Sequence, residues 1–148
     1  MTTSEAYVFL GSIRRIEAEI VKKQLQHDEL RSCLLPAGIR YDLDKVQSSP
    51  SDRMSAIEAK VVDLSREIEE LKMRKAKLIV EINAAVTQLG NDTEEIILLG
   101  FYVGRLPVRR LAEMLHYTVR GIYKAKRRAV IHLAQKCSLS SPSDSGII

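Results

Sequence analysis

Arg120, Lys124 and Arg127 recur at i, i+4 and i+7, so on a helix their cationic groups share one face. Such groups only donate hydrogen bonds. A row of them suits a polyanion, and nucleic acid is the polyanion whose base edges and phosphates Arg and Lys both recognise. Thr118, Val119 and Tyr123 lie beside the row, near the amino end of the same stretch, the end that a DNA-reading helix pushes into the major groove. The base-reading candidates are therefore Thr118, Val119, Arg120, Tyr123, Lys124 and Arg127. Arg105, Arg109, Arg110, Lys126 and Arg128 surround them and are the phosphate candidates, which position a duplex without reading it.

The charge distribution points the same way. Between Arg105 and Lys136 there are nine Lys/Arg against the single acid Glu113, whereas the preceding residues hold 14 Lys/Arg and 17 Asp/Glu, so the modest net charge of +4 conceals one strongly basic module. Concentrated positive charge is the electrostatic footprint of a phosphate-binding surface, and a solvated basic helix or one docked on an acidic protein is the alternative.

To hold that row in place, the stretch from Leu106 to Leu133 must form two helices broken by a tight turn. Pro107 suits the first turn of a helix, and Val108, Leu111, Ala112 and Leu115 follow at helical spacing. His116 and Tyr117 interrupt the period, with His116 where a residue tolerating a left-handed backbone is needed. Thr118 then caps a second helix whose buried side is expected to be Ile122, Ala125, Ala129 and Leu133. Upstream, Gly90-Asn91 closes a helix and Asp92 is read as the N-cap of the next, which is apolar nearly all round to Val103 and so serves as the module's core helix. Gly100 and Gly104 there allow a neighbouring helix to approach closely.

The first part of the chain is heptad-patterned. Phe9, Ile16, Lys23 and Leu30 fall on one position and Ile13, Ile20, His27 and Leu34 on the other. A longer series follows, with Ile57, Leu64, Leu71, Leu78 and Ala85 on one position and Met54, Val61, Ile68, Lys75, Ile82 and Leu89 on the other. Polar residues at a seam specify register or partner. Ser49-Pro50-Ser51-Asp52 is a helix start, and Pro36-Ala37-Gly38 a helix stop. The expected fold is all-α: an antiparallel coiled-coil hairpin followed by a small three-helix helix-turn-helix module. Its parts are a hairpin over 1–89 (helices about 4–34 and 50–89, connector 35–49), the module over 90–136, and a Ser-rich disordered tail over 137–148. Val86 and Leu89, at the end of the second helix, are available to pack on the module or on a second subunit.

No enzyme is expected. His27, His116 and His132 have no partner spacing, no Gly-rich loop follows a strand, and neither catalytic residues nor a cofactor is indicated. Asp42 and Asp44 are the only nearby carboxylate pair in the connector and make no metal site, and Cys33 and Cys137 are lone residues. The longest apolar run, Ile96 to Gly104, falls short of a membrane span, so no membrane is expected and a reducing cytoplasm is the default.

Taken together, Leu111-Ala112, Thr118, Ile122 and Ala129 resemble the pattern of the region-four helix-turn-helix of bacterial sigma factors. With the connector phrase from Asp44 to Pro50 and Asp52-Arg53-Met54, the chain resembles small phage and prophage regulators of the ArpU/RinA-like type. That resemblance implies double-stranded DNA as ligand, transcriptional control at promoters, action in the cytoplasm of a bacterial host, and RNA polymerase as a candidate partner. The heptad seams additionally offer a homodimer contact. A small-terminase-like DNA-packaging protein and a protein-interaction scaffold are the alternatives.

Overall fold

The computed structural model describes residues 1–34 and 50–139, and all its regular elements are helical. The helices are α1 (Thr3–Ser32), α2 (Pro50–Val86), α3 (Asp92–Leu98), α4 (Val108–Leu115) and α5 (Val119–Leu139), with a 3-10 turn at Thr87–Leu89 and a π-helical turn at Leu99–Val103. The connector, with Asp42, Asp44 and the Ser49 cap, lies outside the described residues, as does the tail beyond Leu139.

α1 starts with a reciprocal capping box. The Glu5 carboxylate accepts from the Thr2 N–H at 2.7 Å, and the Thr2 hydroxyl accepts from the Glu5 N–H at 3.1 Å. These bonds favour the ionised carboxyl and hold it below its usual pKa. The helix ends at Ser32, two residues before the expected Leu34, where Cys33 and Leu34 form a turn.

The chain packs as two compact units, one made of Ile16–Lys75 and the other of Met1–Arg15 with the chain from Ala76 onward. Both heptad helices contribute residues to the core that surrounds α5. Within Ile16–Lys75 the seam is the one read from the heptads: Ile16, Leu64, Ile68 and Leu71 are buried, and so is His27, whose Nδ1 lies 3.1 Å from the Asp28 carboxylate. Both seam lysines find a carboxylate on the facing helix, Lys23 with Glu67 at 3.0 Å and Lys75 with Glu17 at 2.9 Å.

The other unit has two cores. The larger contains Ala6, Leu10 and Ile13 of α1, Ile82 and Val86 of α2, Leu89, Leu98 and Tyr102, and Ala129, Val130, Leu133 and Ala134 of α5. The smaller joins Ile97, Leu111, Ala112 and Ile122, and Phe101 packs against both. α5 thus enters both cores: Ile122 the smaller, and the expected Ala129 and Leu133 the larger, where Val130 and Ala134, which the local period did not single out, are buried beside them. α5 also runs through Cys137 and Ser138 to Leu139, into the stretch expected to be tail, and Cys137 packs against the larger core.

Three helix ends are shifted from the sequence expectation. The α2 helix tightens into a 3-10 turn that ends on left-handed Gly90. Asn91, not Asp92, is the N-cap of α3; its side chain accepts from the Glu94 N–H at 3.1 Å, while the Glu95 carboxylate accepts from the Gly90 N–H at 3.1 Å. Beyond Leu98 the expected continuous helix widens instead of continuing regularly, with the Gly104 N–H reaching back to the Leu99 carbonyl at 2.8 Å.

Candidate nucleic-acid interface

Local chemistry explains the break between α4 and α5. Pro107 sits one position before the helix rather than in its first turn; its backbone is extended (φ −62°, ψ 146°) and its carbonyl accepts from the Arg110 N–H at 3.0 Å. After eight helical residues, Val108–Leu115, the helix stops at His116, in the left-handed conformation (φ 59°). The Tyr117 N–H returns to the Ala112 carbonyl at 2.9 Å, and the His116 N–H to that of Glu113 at 3.4 Å, a Schellman closure made without glycine. Thr118 then caps α5, its hydroxyl accepting from the Gly121 N–H at 2.9 Å.

The small core holds α4 and α5 together. A Cβ built on Gly100 would lie 2.7 Å from the Leu111 Cδ2, so the Leu111 side chain occupies the space that a side chain at residue 100 would otherwise take. At the other side of the module Glu94, largely covered, meets the His132 Nδ1 at 2.7 Å and ties the start of α3 to α5.

This scaffold leaves the candidate reading face open. Thr118, Val119, Arg120, Tyr123, Lys124 and Arg127 are all exposed, with Val119 and Tyr123 each at 43%, too open for core residues. Arg105, Arg109, Arg110 and Arg128 are exposed as well, and Arg105 itself has a left-handed backbone (φ 54°). Among the described residues, no carboxylate pairs with Arg120, Lys124, Arg127 or Arg128. Those four cations therefore offer donors and positive charge to an external anion without breaking an ion pair to any described residue.

Lys126 is placed differently from the other phosphate candidates. It is half-buried, and its Nζ lies 4.1 Å from the centre of the Phe101 ring, 5.5 Å from that of Tyr102 and 5.9 Å from that of Tyr123. Burial pushes its pKa down, and the neighbouring cations Arg14 and Arg127 push it further the same way. Its position follows from the helical period, since residue 126 points toward the same side as the buried Ala129, Val130 and Leu133.

Sequence reasoning missed Arg14. It lies on α1, outside the basic module, yet its guanidinium carbon sits 5.2 Å from the same Phe101 ring. No periodic or local signal could have selected it, because only packing of α1 in the larger core brings it there.

Among the described residues no group of three or more His, Cys, Asp or Glu could hold a metal ion, and no helix is long and apolar enough to cross a membrane. Cys33 and Cys137 are free thiols. No family model, curated protein or solved structure matches this chain.

Proposed function

We propose that this protein binds double-stranded DNA in a sequence-specific manner and acts as a transcriptional regulator at phage or prophage promoters. The observation that carries the reading is the open amino-terminal half of α5, where Arg120, Lys124 and Arg127 stand exposed beside Tyr123 with no carboxylate partner among the described residues. The three-residue break between α4 and α5 is of the length that lets a first helix lie across a duplex backbone while a second enters the groove. Arg and Lys on that face offer donors to guanine edges, and Val119 and Tyr123 offer apolar contact to thymine methyls.

One such helix reads only a few base pairs, and a mismatch costs about 1–3 kcal/mol, so selectivity in a genome requires further contacts. A second copy joined through the heptad helices, or RNA polymerase held at a promoter, would provide them.

The test is a triple substitution, Arg120→Ala, Lys124→Ala and Arg127→Ala, assayed by footprinting and binding on the encoding genome. Specific binding is expected to fall at least ~100-fold, with helicity and melting unchanged, from the summed loss of base contacts of about 1–3 kcal/mol each. Undiminished specific binding by a folded triple variant would remove α5 as the reader. Subunit number measured by light scattering on the same samples separates a monomer or dimer, expected here, from a packaging-type ring.

A further inference from the structure

Arg14 and Lys126 converge on one aromatic ring from two helices distant in sequence. The guanidinium carbon of Arg14 is 5.2 Å and the Nζ of Lys126 4.1 Å from the centre of Phe101. A cation over a ring gains about 0.5–2 kcal/mol, but two cations at one ring also repel each other. Neither has an ion-pair partner among the described residues. The charges acting on Lys126 are those of Arg14 and Arg127, all of one sign. The site thus holds concentrated, partly desolvated positive charge with no carboxylate partner among the described residues.

The cluster also adjoins the reading face. Lys126 follows Lys124 and precedes Arg127 on α5, and it lies 5.9 Å from the ring centre of Tyr123, itself a base-reading candidate. Arg14 is exposed, so an anion can reach it from solvent.

We propose that Arg14 and Lys126 form a phosphate site for the DNA backbone beside the groove entered by α5, so that α1 contributes directly to the DNA-binding surface. Phe101 is its floor. The ring satisfies one side of each cation, and the remaining N–H groups of the guanidinium and the ammonium are the donors offered to phosphate oxygens. A phosphate there would offset the repulsion between the cations, and binding would cost little reorganisation because the cations are already held together. The site rests on the DNA-binding reading and adds to it a contact that the module from Gly90 onward lacks by itself.

The experiment compares full-length Arg14→Met with full-length Arg15→Met on a random-sequence duplex, following affinity against salt. Methionine keeps an apolar stem over Phe101 and removes the charge. Arg15 is exposed, adjacent in sequence and directed elsewhere around α1, so its substitution controls for net charge alone. Arg14→Met should lower the salt slope by about one unit, which shrinks the affinity loss between 50 and 200 mM salt by roughly threefold to fourfold. Lys126→Met should do the same, and Arg15→Met should change the slope by much less. Melting should be unaltered by Arg14→Met.

Equal effects of Arg14→Met and Arg15→Met would overturn the proposal, as would an unchanged slope in both. An unchanged slope on DNA with lost binding to poly-L-glutamate would overturn it in favour of an acidic protein partner. If Arg14→Met is silent while the Arg120, Lys124 and Arg127 triple variant loses DNA, the phosphate site fails and the DNA-binding reading stands. If both are silent, the reading itself fails.

Discussion

Lysine has opposite fates in the two units. Within Ile16–Lys75, Lys23 and Lys75 interrupt an apolar seam, and each meets a carboxylate on the facing helix, Glu67 at 3.0 Å and Glu17 at 2.9 Å. On α5, Lys124 stands in the open with no carboxylate partner among the described residues, and Lys126 lies against aromatic rings among other cations. The difference teaches how to read charge in a helical protein. A charge matched across an interface selects register, because sliding the helices would strand it. A charge left unmatched on a rigid face remains available to an external anion.

The apolar residues differ in the same way. The seam presents one stripe, whereas α5 enters two cores, with Ile122 in the small core and Ala129, Val130, Leu133 and Ala134 in the larger one. The largest expected effect tests this double burial. A fragment from Gly90 onward keeps the small core but loses Ala6, Leu10, Ile13, Ile82, Val86 and Leu89 from the larger one. It should melt well over 10 °C below the intact chain in calorimetry, since even Leu133→Ala alone is expected to cost about 2–5 kcal/mol. A fragment as stable as the whole protein would show that packing of α5 in the larger core contributes nothing to folding.

A smaller effect is expected from the matched charges. Exchanging Glu17 and Lys75 for Lys and Glu in one double variant should restore the stability lost by either single reversal, with a coupling of about 0.5–1 kcal/mol that shrinks in 1 M salt. No coupling in a double-mutant cycle would mean that the seam lysines do not help specify register. The Lys23 partner gives this part of the comparison a pH dependence. Hydrogen bonding and attraction to Lys23 hold the Glu67 pKa below its ordinary value. With the folded pKa depressed, the pair's contribution is present above the usual glutamate range and is lost as pH falls through the lowered pKa. Lys23→Met should flatten that limb of the acid unfolding curve.

The smallest effect concerns the turn that separates the open half of α5 from the helix before it. His116 adopts φ 59° at a helix end where glycine pays no steric penalty. His116→Gly should stabilise the protein by about 0.5–1 kcal/mol in denaturant unfolding and leave DNA affinity within twofold. A large loss of affinity at unchanged stability would instead place the imidazole on the DNA.

Much of this architecture was legible in the residues because it follows local rules. The seam positions Leu64, Ile68 and Leu71, the αL turn at His116, the Thr118 cap and the exposed Arg120, Lys124 and Arg127 row all come from spacings of a few residues, which backbone geometry converts directly into faces and ends. Helix ends were harder, as Asn91 replacing Asp92 and the Leu139 terminus of α5 show, because neighbouring caps compete within tenths of a kcal/mol and packing against the core extends a helix past its local signals. Burial of Val130 and Ala134, the aromatic seat of Lys126 and the placement of Arg14 beside Phe101 were decided only by tertiary structure. Each depends on which helix packs against α5, and residues more than 80 positions apart carry no shared period by which that choice could be read.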